Sequence, residues 1–326
     1  MPAAARVKAK DFFTDAEWAP LSARSSWKGL WLIVHCWATI FIAGALAVWA
    51  VEAPMPLWLV WVKPLAVLAA IMVIGARQLG LAILMHDGAH GCLHPNLKVN
   101  DWIGEWLTGA PSNANLARYR DYHLSHHKFA QQSDDPDIGL SKPFPTTRGS
   151  LVRKAIRDLT GQTFYKQRIQ PSFDAFKIGA KKGVAWHRTA KGVLGFWSHF
   201  LIVNAILLVA LIAAGVWWAY PVLWIVPMAT WYPLVTRFRN IAEHACIAEG
   251  EPDPLRQART TKVGPIERLV IAPYFVNYHC EHHMFMHLPC WSLPKVSRLL
   301  AKKGVTPRML TASGYPEVLR MASAKG

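Results

Sequence analysis

Two stretches of this chain, residues 27–85 and 193–235, are apolar for long enough to cross a bilayer, and they limit the folds open to it. About 20 helical residues cross roughly 30 Å of hydrocarbon, so each stretch holds two crossings. Glu52-Ala-Pro-Met-Pro56 breaks the first, because proline removes a helix donor and a carboxylate resists burial in lipid. Tyr220-Pro221 breaks the second. Spans are therefore predicted at 29–51, 64–86, 193–218 and 221–238. Lipid offers no hydrogen bonds to the backbone, so spans of this kind are helical. The expected fold is all-α and integral to the membrane: one domain over 1–326, with four transmembrane helices in two hairpins.

A formal charge of +16 raises nucleic acid as a partner, and the placement of that charge argues against it. Of 36 Lys and Arg, 16 fall from Lys98 to Lys191 and 13 from Arg237 onward, while neither short turn carries any. Positive residues gather on the cytoplasmic side of multi-pass proteins. Both termini and the segments 87–191 and 239–326 are accordingly placed in the cytoplasm as a helical cap, which for a bacterium means the inner membrane. The basic face suits anionic lipid headgroups and an acidic partner. Residues 1–27, with Phe12, Phe13 and Trp18 among basic residues, suit the membrane surface. Lys63 is expected to snorkel outward and Arg77 to face the interior or a polar cavity.

Cys36, Cys92, Cys246, Cys280 and Cys290 are odd in number and contain no CxxC pair, so neither a disulfide framework nor a thiolate metal cage is indicated. The first residues carry charge with no apolar core directly behind them, unlike a cleavable signal peptide.

The chemistry is carried by histidine. Three clusters have metal-ligand spacing: His86-Asp-Gly-Ala-His90, His123-Leu-Ser-His126-His127 and His279-Cys-Glu-His282-His283. On a helix, positions i, i+3 and i+4 share a face, so each cluster can aim two or three imidazoles at one point. An even number of predicted crossings separates the clusters, so all three lie on the cytoplasmic side. Eight imidazoles exceed the needs of one zinc ion and suffice for two metals; imidazole suits Zn, Cu, Fe and Ni alike. His35, His94, His187, His199 and His287 lack such pairing and read as surface or hydrogen-bonded residues, with His94 and His287 near enough to support a ligand. Asp87, Asp121, Asp134, Asp135, Glu243 and Glu281 are candidates to accept the free ring N–H of a ligating histidine. Solvated loop charges or helix caps are the plainer account of Asp134 and Asp135.

The order HDGAH, HLSHH, HCEHH around two membrane hairpins resembles the membrane fatty acid desaturase superfamily, whose histidine boxes read HxxxH, HxxHH and HxxHH. The likeness runs through ARQLGLAILMHDGAHG (76–91), NDWIGEWL (100–107), YRDYHLSHHKF (119–129) and VNYHCEHHMF (276–285). The resemblance implies two iron ions as cofactor, O2 as co-substrate and an acyl lipid or other apolar membrane substrate. It also implies a ninth ligand, His244, with Asn240 four residues earlier reaching a metal through water. An acyl-shaped tunnel near the cytoplasmic interface is expected; Trp102, Trp106, Trp231 and Trp291 can line it or form an interfacial belt.

No dinucleotide fingerprint, Cys₄ iron–sulfur spacing or haem-binding HPGG is visible, so electrons are expected from an external donor, ferredoxin or a b-type cytochrome with its reductase. Hydroxylases and carotenoid ketolases of the same superfamily share these boxes and are the main alternative to a desaturase. A membrane zinc peptidase is a remote one. HDGAH places Asp where HExxH has its general base, and the other two clusters would go unused. A non-enzymatic metal carrier is disfavoured, because the clusters flank the spans instead of lying at the midplane.

Overall fold

The computed structural model describes residues 4–324; the terminal residues of the predicted cytoplasmic segments, 1–3 and 325–326, lie outside the described residues. The chain enters through α1 (Asp15–Ser22), where the Thr14 hydroxyl accepts the Glu17 backbone N–H and the Glu17 carboxylate accepts that of Thr14. This reciprocal cap satisfies two amides that the first helical turn leaves unpaired.

Among the described residues three helices are long and apolar enough to cross a membrane. They are α2 (Lys28–Glu52), α3 (Val62–Ala89) and, after the basic segment, α7 (Trp186–Ala213). Their outer faces expose Phe41, Leu46, Ile206 and Val209, a surface that water would not stabilise and lipid does. Between α3 and α7 lie α4 (Leu116–Phe129), α5 (Arg148–Leu159) and α6 (Gln170–Lys181).

The fourth predicted span departs from the expected form. Residues 221–238 are not one continuous helix: a π-helical turn, Tyr220–Ile225, leads into Val226–Ala229, and α8 (Trp231–His244) follows a break at Thr230. Pro227 and Pro233 each withhold a backbone donor, which breaks the ladder on both sides of Thr230. Two boundaries also shift. Helix α3 runs through residue 89, so His86 sits on its last turns, and α7 begins at Trp186, ahead of residue 193.

After α8 the chain forms β1 (Arg259–Thr261), α9 (Pro265–Val270), α10 (His279–Met284) and β2 (Leu310–Ala312). The all-α expectation therefore needs one correction: β1 and β2 pair in parallel, with Thr260 opposite Thr311. Thr260 also bridges Tyr278, which places the pair against the start of α10.

Helix α3 is the axis of the molecule, touching α2, α4, α8 and α9. Close packing rests on glycine at two points. A Cβ on Gly29 would lie 2.1 Å from the Leu93 carbonyl oxygen, and one on Gly75 would lie 2.8 Å from the Trp231 Cβ. Arg77 is buried on α3 and donates to the carbonyls of Arg268 and Leu269, both at 2.7 Å, at the C-terminal end of α9. A cation on unpaired terminal carbonyls is favourable, so this arginine pins α9 to the membrane helix. Lys63 donates to the Val51 carbonyl at 2.6 Å across the first turn.

Candidate metal centre

The nine histidines singled out above converge from four helices and sort into two groups. His86, His90, His123, His127 and His282 form one; His126, His244, His279 and His283 form the other. Within each group the ligand nitrogens lie within 4.8 Å of one another. The groups abut, with the His127 and His283 ring centroids 4.4 Å apart.

Helix geometry explains the division. At 3.6 residues per turn, i and i+4 differ in direction by about 40°, whereas neighbours differ by about 100°. His123 and His127 therefore share one group while His126 turns to the other. In α10 the i, i+4 pair His279 and His283 faces the second group and His282 the first. The expectation that each cluster aims at a single point holds for His86 and His90 alone; the other two clusters straddle both points.

The donor set fits metal better than it fits water or itself. His127 Nε2 lies 2.9 Å from His123 Nε2 and 3.0 Å from His282 Nε2, and His244 Nε2 lies 2.9 Å from His279 Nε2. One N–H per pair can bridge such a contact, yet His86 Nε2 and both nitrogens of His90 are buried with no hydrogen-bond partner. Burial, reinforced by neighbouring imidazoles, holds His123, His127, His279, His282 and His283 well below the ordinary histidine range. Neutral, lone-pair-bearing imidazoles gathered in fives and fours suit divalent transition metals.

Carboxylates hold several rings from behind. His126 Nδ1 lies 2.8 Å from Asp135 Oδ1, and Asp135 also accepts the backbone amides of Gln131 and Asp137. Asp87 stands 3.6 Å from His86 Nδ1 and accepts the Cys290 amide at 2.9 Å. Glu243 stands 3.4 Å from His279 Nδ1 while paired with Arg239 at 2.7 Å. Two sequence candidates are placed elsewhere. Asp121 is exposed on α4, and Glu281 turns away from the rings to accept the Thr260 hydroxyl. Closeness in sequence misled in both cases, since residues one or two positions apart on a helix are turned by about 100° or 200° from each other. Asp134 is exposed as well.

Asn240 lines a space of about 30 Å³ together with His126, His244 and His279, room for a single water beside the second group. Three residues here went unread in the sequence. Gln131 Nε2 lies 3.2 Å from His244 Nδ1; Asp137 stands 3.7 Å from His126 Nδ1; Arg239 orients Glu243. Asp137 had a signal, as the third carboxylate of SDDPDI beside a histidine cluster; Gln131 had none.

The remaining histidines stay outside both groups. His35 Nδ1 meets the Tyr274 hydroxyl at 3.0 Å, His199 pairs with Glu105 at 2.6 Å, and the His94 ring accepts the Asn96 amide. His187 packs on Trp186, and His287 is exposed, its ring 6.3 Å from that of His90. Trp106 packs on the His199 ring, Trp231 donates to the Val270 carbonyl, Trp102 is exposed and Trp291 is partly buried.

The chain resembles two kinds of curated protein. It is 24% identical to a beta-carotene ketolase of Paracoccus sp. (strain PC1) over 259 residues, covering 78% of this chain and 90% of the ketolase. It is 26% identical to the dihydrorhizobitoxine desaturase of Bradyrhizobium elkanii over 252 residues, covering 73% of this chain and 68% of that protein. The Fatty acid desaturase family matches residues 63–308, a stretch that contains all nine histidines, and the chain belongs to that family.

Proposed function

We propose that this protein is an O2-dependent, two-iron desaturase of an acyl chain, held in the membrane by four spans with its termini and metal centre on the cytoplasmic side. One observation carries the reading: nine imidazoles, seven of them buried and His244 and His283 half-buried, divide five and four between two adjoining points. The broken segment 220–244 serves as the fourth span, its irregular backbone covered by protein where lipid would leave it unsatisfied.

In the reaction –CH2–CH2– becomes –CH=CH–, so the substrate gives up two hydrogens with two electrons. An external carrier supplies two more electrons, two protons enter, and O2 leaves as two waters. Two irons, when bound, supply a dioxygen-derived oxidant strong enough for an unactivated methylene. The chain's own residues do the rest. His86, His90, His123, His127 and His282 would hold one metal, and His126, His244, His279 and His283 the other. Asp135 fixes the His126 ring from behind by a hydrogen bond, and Asp87 and Glu243 stand close behind the His86 and His279 rings. Asn240 borders the water-sized space and would reach a metal held by the second group through a water placed there. Basic residues on the cytoplasmic face draw in an acidic electron carrier.

A second reading has a specific support: the ketolase relative is matched over 90% of its length. Oxidation of a carotenoid would use the same centre and differ in how the substrate radical resolves. Lipid and carotenoid profiling of a host expressing the chain, against the His282→Ala variant, decides between them. New double bonds in acyl chains are expected and should vanish with His282→Ala; new ketones or hydroxyls in their place select the second reading.

A further inference from the structure

A cavity of about 230 Å³ lies between residues 5–9 and the turn that follows α10. His127 and His283, one from each histidine group, stand in its wall, and none of its lining residues borders the water-sized space beside Asn240. Arg6, Gln257 and His287 give it polar partners, while Val7, Trp18 and Met286 belong to its apolar wall. Water fills a cavity that offers both room and polar partners, and at about 30 Å³ per molecule several waters fit here.

The cover over this cavity is fastened at its two ends and unbonded between them. At one end the Ala4 amide donates to the Lys128 carbonyl at 2.8 Å, one residue beyond His127. At the other, the Phe12, Phe13 and Trp18 rings pack on Phe285, two residues beyond His283, with centroids 6.1, 5.6 and 5.1 Å away. Lys303 Nζ reaches the Glu17 carboxylate at 2.8 Å and holds that end as well. Among the described residues no hydrogen bond holds Ala5, Arg6 or Val7, and the first two are exposed. A stretch with anchored ends and few bonds of its own opens locally at little cost.

We infer that this cavity is the aqueous passage of the metal centre: protons arrive and product water leaves past His127 and His283, beneath a cover formed by residues 5–9. This rests on the two-metal oxidation proposed above and deepens it. Each turnover of that reaction takes up two protons and releases two waters. An apolar substrate comes from hydrocarbon, which holds no water to carry either, so a separate polar route is required. The His127 and His283 ring centroids are 4.4 Å apart, so a passage ending at both rings serves the two groups at their shared edge.

The test reads ligand exchange without turnover. Azide, a small anion that needs a polar route to iron, is mixed with the oxidised, iron-loaded protein in detergent, and its charge-transfer band is followed by stopped flow. Val7→Trp fills the cavity from the cover and Met286→Trp from the turn after α10. Each should slow azide entry and exit together by roughly tenfold, because a barrier on the path changes rates and leaves the end states alone. Equilibrium affinity and iron content should therefore stay as they are in the unaltered protein. Leu140→Trp, in the wall of the water-sized space, should change neither rate. Unaltered rates in the cavity variants, or slowing by Leu140→Trp alone, overturn the inference. The two-metal reading fails separately, if the purified protein takes up no iron and gives no band, and the passage falls with it.

Discussion

The Nδ1 of His126 stands 2.8 Å from Oδ1 of Asp135, and both side chains are buried. This contact fixes the ring so that its Nε2 faces His283 at 3.3 Å in the four-histidine group. Removing the acceptor should loosen one metal and spare the other. Asp135→Asn is expected to weaken binding at the second group roughly 10- to 100-fold. Metal analysis after graded chelation would then show one metal leaving early; simultaneous loss of both would refute the assignment.

The interleaving of the two groups makes a sharper prediction about stoichiometry. His90→Ala removes a ligand from the first group only and His279→Ala from the second only. Each variant should hold about one metal where the unaltered protein holds two, and neither should sustain turnover. Two metals retained in both variants would mean that the groups do not correspond to metals.

Metal removal should reveal the cost of gathering neutral imidazoles. Burial holds five of these histidines well below their ordinary range, so the unfolded chain binds more protons than the folded one once pH falls below about 6.5. Stability of the metal-free protein is therefore greatest above that pH and declines as pH falls through it. Thermal unfolding in detergent should show the metal-free midpoint dropping between pH 7 and pH 5. Divalent metal added at pH 7 should raise it. A flat pH response would contradict the burial of these rings.

The Arg237–Asp158 pair ties α8 to α5, with Asp158 fully enclosed. Removing Asp158 leaves the Arg237 guanidinium, 25% exposed and so within reach of water, without its anion, at a cost of about 1–3 kcal/mol. Asp158→Ala should lower thermal stability markedly, and Asp158→Asn should do less harm because it keeps a hydrogen-bonding oxygen. Equal stability of all three proteins would show that Arg237 finds another anion.

At Gly75, a leucine would force its Cβ to within 2.8 Å of the Trp231 Cβ. Overpacking of this kind typically costs 1–3 kcal/mol. Because α8 carries His244, Gly75→Leu is also expected to reduce metal occupancy, measurable as iron per chain; unchanged occupancy would show that α8 shifts freely.

The sequence alone determined the helical membrane class, the three clusters and their spacing, because apolar run length and histidine periodicity are local and survive without knowledge of packing. It did not determine how the rings divide. Two points separated by about 100° of helix rotation look identical in the string HLSHH, and only docking α3, α4, α8 and α10 together decides that His126 and His282 each leave their neighbours for the other group. The same holds for Asp135 against Asp121 and for Glu243 against Glu281: Asp121, Glu243 and Glu281 lie within two residues of a clustered histidine and Asp135 eight residues after His127, yet the direction of the side chain after folding decides which reaches a ring. The broken helix at Thr230 belongs to the same class. Its prolines were visible, but a tertiary surround had to satisfy the freed backbone before the break could persist in the structure.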